Sequence, residues 1–170
     1  MATEIDQIEV DAFLADSVAT AETKLYAQGA GWDTIFSAVF PCRHSRLGIG
    51  LILRVPWTAT NIMHDLTIKI VDPDENPLTL APAPPGVELP EGVVREVRGQ
   101  FNTGRPPLLS PGDSQVATIA INLDGLEFHE PNTYTVVVAI DGEDRKRLPL
   151  RLRFTPQQQM AGMTLPPSVA

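Results

Sequence analysis

Apolar residues recur along this chain with a period of two, in short runs broken by Gly, Pro, Asn and Asp, the spacing of half-buried strands. In Gln7 to Ala15, Ile8, Val10, Ala12 and Leu14 fall on one side and Glu9 and Asp11 on the other. Lys24 to Gln28 and Trp32 to Ser37 read as two strands of a hairpin joined at Gly29-Ala30-Gly31. Leu47 to Val55 is long and apolar, and Gly48 and Gly50 within it imply a bulge or a close backbone approach. Leu66 to Val71, Val93 to Phe101, Gln115 to Leu123, Thr133 to Ile140 and Arg147 to Phe154 complete the set, the last two joined by the hairpin signal Asp141-Gly142. No segment has a convincing helical face, and Asp16 to Lys24 has room for a helical turn or two.

Two proline-rich stretches interrupt this pattern. Residues 73 to 90 hold six prolines, which remove backbone donors and exclude a helix or central strand there. A second turn follows at Arg105-Pro-Pro-Leu-Leu-Ser-Pro-Gly. About nine short strands with such connections predict an all-β fold, an immunoglobulin-like two-sheet antiparallel sandwich with long proline-rich loops. Pro131-Asn-Thr-Tyr134 preceding a Val-rich strand fits the corner at which a Tyr hydroxyl closes such sandwiches. One domain over residues 1–155 and a tail over 156–170 are expected.

Composition narrows the function classes. The 170 residues carry a net charge of −8, which argues against nucleic-acid binding through clustered Lys and Arg. No apolar run approaches the ~18–20 residues of a membrane span. Glu4, Asp6 and Glu9 stand where a secretory signal needs a basic start, so a cytoplasmic location is expected. The single Cys42 excludes an internal disulfide.

Site chemistry is sparse. His44, His64 and His129 lack the paired spacing of a zinc site, so no metal or cofactor is expected. Cys42-Arg-His44 places a thiol and an imidazole on one face of an extended chain, the arrangement a Cys–His nucleophile would need, although such alternation is routine. Asp72-Pro-Asp74-Glu-Asn76 opens like a calcium loop but has Pro77 and Ala83 where that loop needs Gly and Glu, so it reads as a turn. Phosphate-binding glycine loops and the nucleophile elbow are absent, and no catalytic residue is assigned.

Charge is unevenly distributed. Residues 1–34 hold seven acids against Lys24, whereas residues 145–153 hold five bases and no acid. In the last strand, Arg147, Arg151 and Arg153 alternate with Leu148, Leu150, Leu152 and Phe154 and so share an outer face. That face reads either as protection of an edge strand and internal charge pairing, or as a docking surface for an acidic partner or a second copy. Its candidate residues are Arg147, Arg151 and Arg153, with Glu9 and Asp11 on the first strand and Trp57 beyond a strand end.

The order Asp11-Ala-Phe-Leu-Ala-Asp16, Lys24-Leu-Tyr, Gly29-Ala-Gly-Trp-Asp33-Thr-Ile35, Phe40-Pro41, His44 and Arg54 resembles a bacterial family of small β-sandwich proteins of unknown function. The resemblance spans mainly residues 8–75, and Thr23 stands where that family often has Gly. It implies a fold and supplies no reaction. The reading that follows is a non-enzymatic interaction or self-assembly module, with a protein partner or a second copy as ligand. A small-ligand or carbohydrate-binding sandwich using Trp32, Trp57 or Tyr26 is the alternative, and a hydrolase the third.

Overall fold

The computed structural model describes residues 7–80, 95–108 and 110–156. Ten strands form: β1 (Glu9–Ala15), β2 (Ser17–Ala21), β3 (Lys24–Gln28), β4 (Thr34–Ser37), β5 (Cys42–Val55), β6 (Met63–Val71), β7 (Glu96–Asn102), β8 (Gln115–Phe128), β9 (Thr133–Ile140) and β10 (Glu143–Phe154). They build a three-stranded sheet β1-β5-β8, a five-stranded sheet β4-β10-β9-β6-β7 and a separate β2-β3 hairpin. The proline-rich residues 81–90 and the tail 157–170 lie outside the described residues.

One core lies between the two larger sheets. Leu47, Ile49, Leu51, Leu53 and Val55 of β5 meet Ile68 and Ile70 of β6, Val136 and Val138 of β9, and Leu150 and Leu152 of β10, all fully buried. Each set alternates along its strand, so the period of two sends one side of each sheet inward. In β5 and β8 the alternation changes phase once, at Gly125. Leu123 is buried on one side of that glycine and Leu126 and Phe128 on the other, and Gly125 takes φ +68°. Ser45 opposite it drops out of the ladder, so Cys42 and His44 of β5 turn toward the core end.

Three connections differ from the sequence reading. Lys24 to Gln28 pairs backwards with Ser17–Ala21, and not with Trp32–Ser37. The segment from Asp16 to Lys24 holds strand β2 where helical turns had room to form. β4 crosses to the other sheet and pairs in parallel with β10, Thr34 opposite Arg151 and Ser37 opposite Phe154. The Asp141-Gly142 hairpin forms as expected, with both residues at positive φ as a two-residue mirror-image turn requires.

The glycines of β5 mark a close approach. A Cβ on Gly50 would fall 2.4 Å from the Phe13 ring, and one on Gly48 would meet the Ser17 backbone at 3.1 Å. The β2-β3 hairpin therefore lies against the outer side of the three-stranded sheet. Asn122 of β8 fastens it, its side chain accepting from Val18 N at 3.0 Å and donating to Val18 O at 2.8 Å.

Candidate functional site

β10 is paired with β9 over Glu143–Arg151 and with β4 over Arg151–Phe154, so edge protection does not explain Arg151 and Arg153, while Arg147 lies beyond the β4 ladder. Arg147 bridges Glu75 and Asp144, the latter at 3.0 Å. Arg151 pairs with Asp33, whose carboxyl is held below its usual range by hydrogen bonds from Thr34 and Arg151. Arg153 donates to the Asn132 carbonyl at 3.0 Å and the Thr133 hydroxyl at 2.9 Å. Of the first-strand acids, Glu9 lies 3.9 Å from Arg54 and Asp11 is exposed beside it on the strand. The basic strand and the acidic residues 1–34 thus meet at Arg151 and Asp33, whereas Glu9 lies beside Arg54 instead, and each of the three arginines has a partner from another element.

Trp57 forms the start of a short 3-10 turn, Trp57–Ala59, after β5. It is half-buried, because the Arg105 guanidinium lies 4.2 Å from the ring centroid. Arg105 also donates to the Trp57 carbonyl at 2.8 Å, and the Thr60 hydroxyl donates to the same carbonyl at 2.7 Å. The second proline-rich turn therefore supplies the cation that covers this ring.

The motif residues of the early strands converge at the corner where β1 bends into β2. Trp32 Nε1 donates to Asp16 at 3.0 Å, and its ring meets His44 edge-on at 5.8 Å. Gly29 is required here: at φ +63°, a Cβ would stand 2.1 Å from the Asp16 carboxylate. Burial pushes His44 below its ordinary value, against opposing pulls from the Arg46 backbone and Asp16, and its Nε2 has no hydrogen-bond partner. Beside this corner a cleft of about 240 Å³ is lined by Phe13, Trp32, Asp33, Leu148 and Pro149. Cys42 is half-buried against the core, and no Cys42–His44 hydrogen bond forms.

Sequence reasoning missed two features. The first is a set of exposed apolar side chains where β4 and β10 end. Phe36, Val39 and Phe154 are 58%, 66% and 57% exposed, and Phe154 meets Phe40 edge-on at 5.2 Å. The second is His64, buried at the start of β6. Its Nδ1 lies 2.7 Å from Asp141 and its Nε2 2.8 Å from the Ala59 carbonyl. Both partners are acceptors, so both ring nitrogens must carry protons to satisfy them. Burial opposes that charge, but the Ala59 and Asp141 hydrogen bonds outweigh it and raise His64 above its ordinary value. A signal for His64 was present, since it stands in phase with Leu66, Ile68 and Ile70 on the core side of β6.

The Asp72 carboxylate accepts from the Asp74 and Asn76 amides, each at 2.9 Å, so the calcium-like sequence is an Asx-built turn. Among the described residues, no three His, Cys, Asp or Glu side chains gather into a metal-holding group, and no helix is long and apolar enough to cross a membrane. A family model described as a family of unknown function matches residues 10–153, well beyond the stretch that carries the motif resemblance. No curated protein matches the chain.

Proposed function

Because the chain belongs to that family, DUF6941, whose description carries no activity, we propose its function from its surface: it is a non-enzymatic protein-interaction domain on an immunoglobulin-like sandwich. The fold part of this reading draws on the sheet order, with the early strand β4 crossing to lie beside β10. It draws also on Tyr134 at the start of β9, whose hydroxyl donates back to the Glu130 carbonyl at 3.2 Å.

The observation that carries the interaction reading is Phe36, exposed on the outer face of edge strand β4, with Val39 exposed just beyond the strand end. Two large apolar side chains, each more than half exposed at one end of an open edge strand, gain by being covered. Arg153 lies directly opposite Phe36 in the β10–β4 register, on the same face, and gives it a basic neighbour. A protein partner presenting an apolar anchor and a carboxylate fits this chemistry. A photo-crosslinker at position 36, used in the native cell with position 20 on β2 as control, tests it. A discrete adduct from 36 that is missing from 20 is expected, and indistinguishable adducts from both sites would remove the reading.

A small-ligand role has one specific support, the cleft beside Trp32 with Asp33 at its rim. Its test is a shift in tryptophan emission on adding small sugars, lost in Trp32→Phe.

A further inference from the structure

We infer that this chain pairs with a second copy of itself along the free edge of β8, extending two three-stranded sheets into one continuous sheet. The inference goes beyond the interaction reading above, since its surface is the edge of a different sheet and its partner a second copy.

The two larger sheets end in four outer strands, and three of them carry known defences against edge pairing. β1 bears Glu9 and Asp11, β7 bears Glu96 and Arg98, and β4 is four residues long. β8 is fourteen residues long and has β5 on one side only. Its first nine residues, Gln115 to Leu123, contain no charge and no proline, and are rich in Val, Thr and Ile. Among the described residues no strand bonds to its far side. Val116, near its start, is 57% exposed. The β2-β3 hairpin is held to the side chains of this strand, through Asn122 and through Thr118, whose hydroxyl donates to Thr23 O at 3.0 Å. Those contacts leave the backbone groups of the far edge without a strand partner.

A second copy is the occupant that the charge favours. A chain of net −8 repels itself over most contacts, and an uncharged segment is where two copies meet without that cost. Antiparallel pairing of β8 with β8 about a two-fold axis is self-complementary, because each backbone donor finds the acceptor of the same segment. Pairing of this kind differs from docking of basic β10 on acidic β1 in its response to salt. Screening weakens a contact between opposite charges, but it relieves the net repulsion between two acidic chains joined by backbone bonds.

Light scattering on the full chain over a concentration series, at low and high salt, is the test. The expected species has twice the 18.5 kDa chain mass and is undiminished at high salt. Val116→Lys puts a charge on the uncharged edge of each copy, the device by which edge strands resist pairing, and is expected to return the mass to that of the monomer. Single cysteines at 116, 118 and 120, in a Cys42→Ser background, give a second readout that survives misfolding of the lysine variant. An interchain disulfide is expected at one or two of these positions only. A chain of monomer mass at every concentration overturns the proposal, as does a dimer dispersed by salt or one unaltered in folded Val116→Lys. None of these outcomes affects the crosslink from position 36, so the broader interaction reading stands or falls separately.

Discussion

His44 and His64 are both withdrawn from solvent by the same sandwich, yet they occupy opposite electrostatic situations. His44 sits edge-on to Trp32 with Nε2 unpartnered, and burial holds it toward the neutral form. His64 is more deeply buried and is nevertheless held toward the charged form, because each ring nitrogen faces an acceptor. Burial alone therefore does not set the protonation of an imidazole here; the second acceptor does. The difference has a structural purpose. His64 ties three pieces of one end together: β6, the 3-10 turn through Ala59, and the β9–β10 turn through Asp141. Asp141 completes the tie by accepting from Asp65 N at 2.9 Å while its own amide donates to Asp65 O.

The largest expected effect comes from removing that tie. His64→Leu keeps the apolar row of β6 but leaves the Ala59 carbonyl and Asp141 without their donors. A loss of roughly 1–2 kcal/mol is expected, since two hydrogen bonds to the buried imidazole are lost while half-exposed Asp141 regains water. It should register as a lower urea midpoint at unchanged slope. A loss below ~0.5 kcal/mol, the size of an ordinary surface change, would mean the two contacts contribute nothing net.

Next in size is the pH dependence, in which the two histidines oppose one another. The folded-state value of His64 is raised, so its contribution is fully present below the ordinary 6.5 and fades as pH rises through the raised value. Asp141 is lowered: burial raises it, but the His64 hydrogen bond, the Asp65 amide, and the charges of His64 and Arg145 prevail. Its contribution is present above 3.8 and fades as pH falls through the lowered value. The pair is thus strongest between those limits. His44 has the other sign, its folded value being lowered, so it costs stability as pH falls below 6.5. Urea midpoints of the wild type and of His64→Leu across neutral pH check this. The decline on the alkaline side should vanish in the variant, and identical profiles would count against a charged His64.

A smaller effect probes how the tie is supported. Arg105 covers Trp57 and bonds its carbonyl, which fixes the 3-10 turn presenting the Ala59 carbonyl to His64. Arg105→Ala is expected to cost about 1 kcal/mol. Combined with His64→Leu, it should cost less than the sum of the two, because both act on one turn. Strict additivity would separate the Trp57 corner from the histidine.

The same contrast shows what could be read from the residues. The strands with clean alternation, β1, β6 and β10, announce themselves, because a period of two has one geometric meaning. The Asp141-Gly142 turn is equally plain, since few residue pairs accept two positive φ angles. Partner choice is not written locally. Trp32 to Ser37 has a hairpin-like glycine turn before it, yet β4 finds its ladder on β10, more than a hundred residues away. Ser17–Ala21 has too little apolar contrast to register as a strand, and forms one where it covers Gly48 and Asn122. His64 was visible as a polar residue in an apolar row, but its two acceptors come from a turn and a hairpin that only folding brings near. The arginines of β10 were placed correctly on the outer face. Glu75 and Asp33 lie on other elements and Asp144 at the start of β10 itself, so alternation could not reveal that two of the three are already paired.

The smallest expected effect completes the comparison from the His44 side. Because its Nε2 is buried without a partner among the described residues, replacing the imidazole by an apolar ring removes a group that water would have satisfied in the unfolded chain. His44→Phe keeps an aromatic edge against Trp32 and adds a little volume at a half-buried site, so the gain from removing the polar atom is offset in part by crowding. The net change is expected within about 0.5 kcal/mol of zero at neutral pH. The sharper readout is again the profile. With no imidazole to protonate, the variant should lose less stability than the wild type as pH falls below 6.5, on the side opposite to the change in His64→Leu. A cost at neutral pH as large as that of His64→Leu would show that His44 is held by a partner after all, and the contrast between the two histidines would fail.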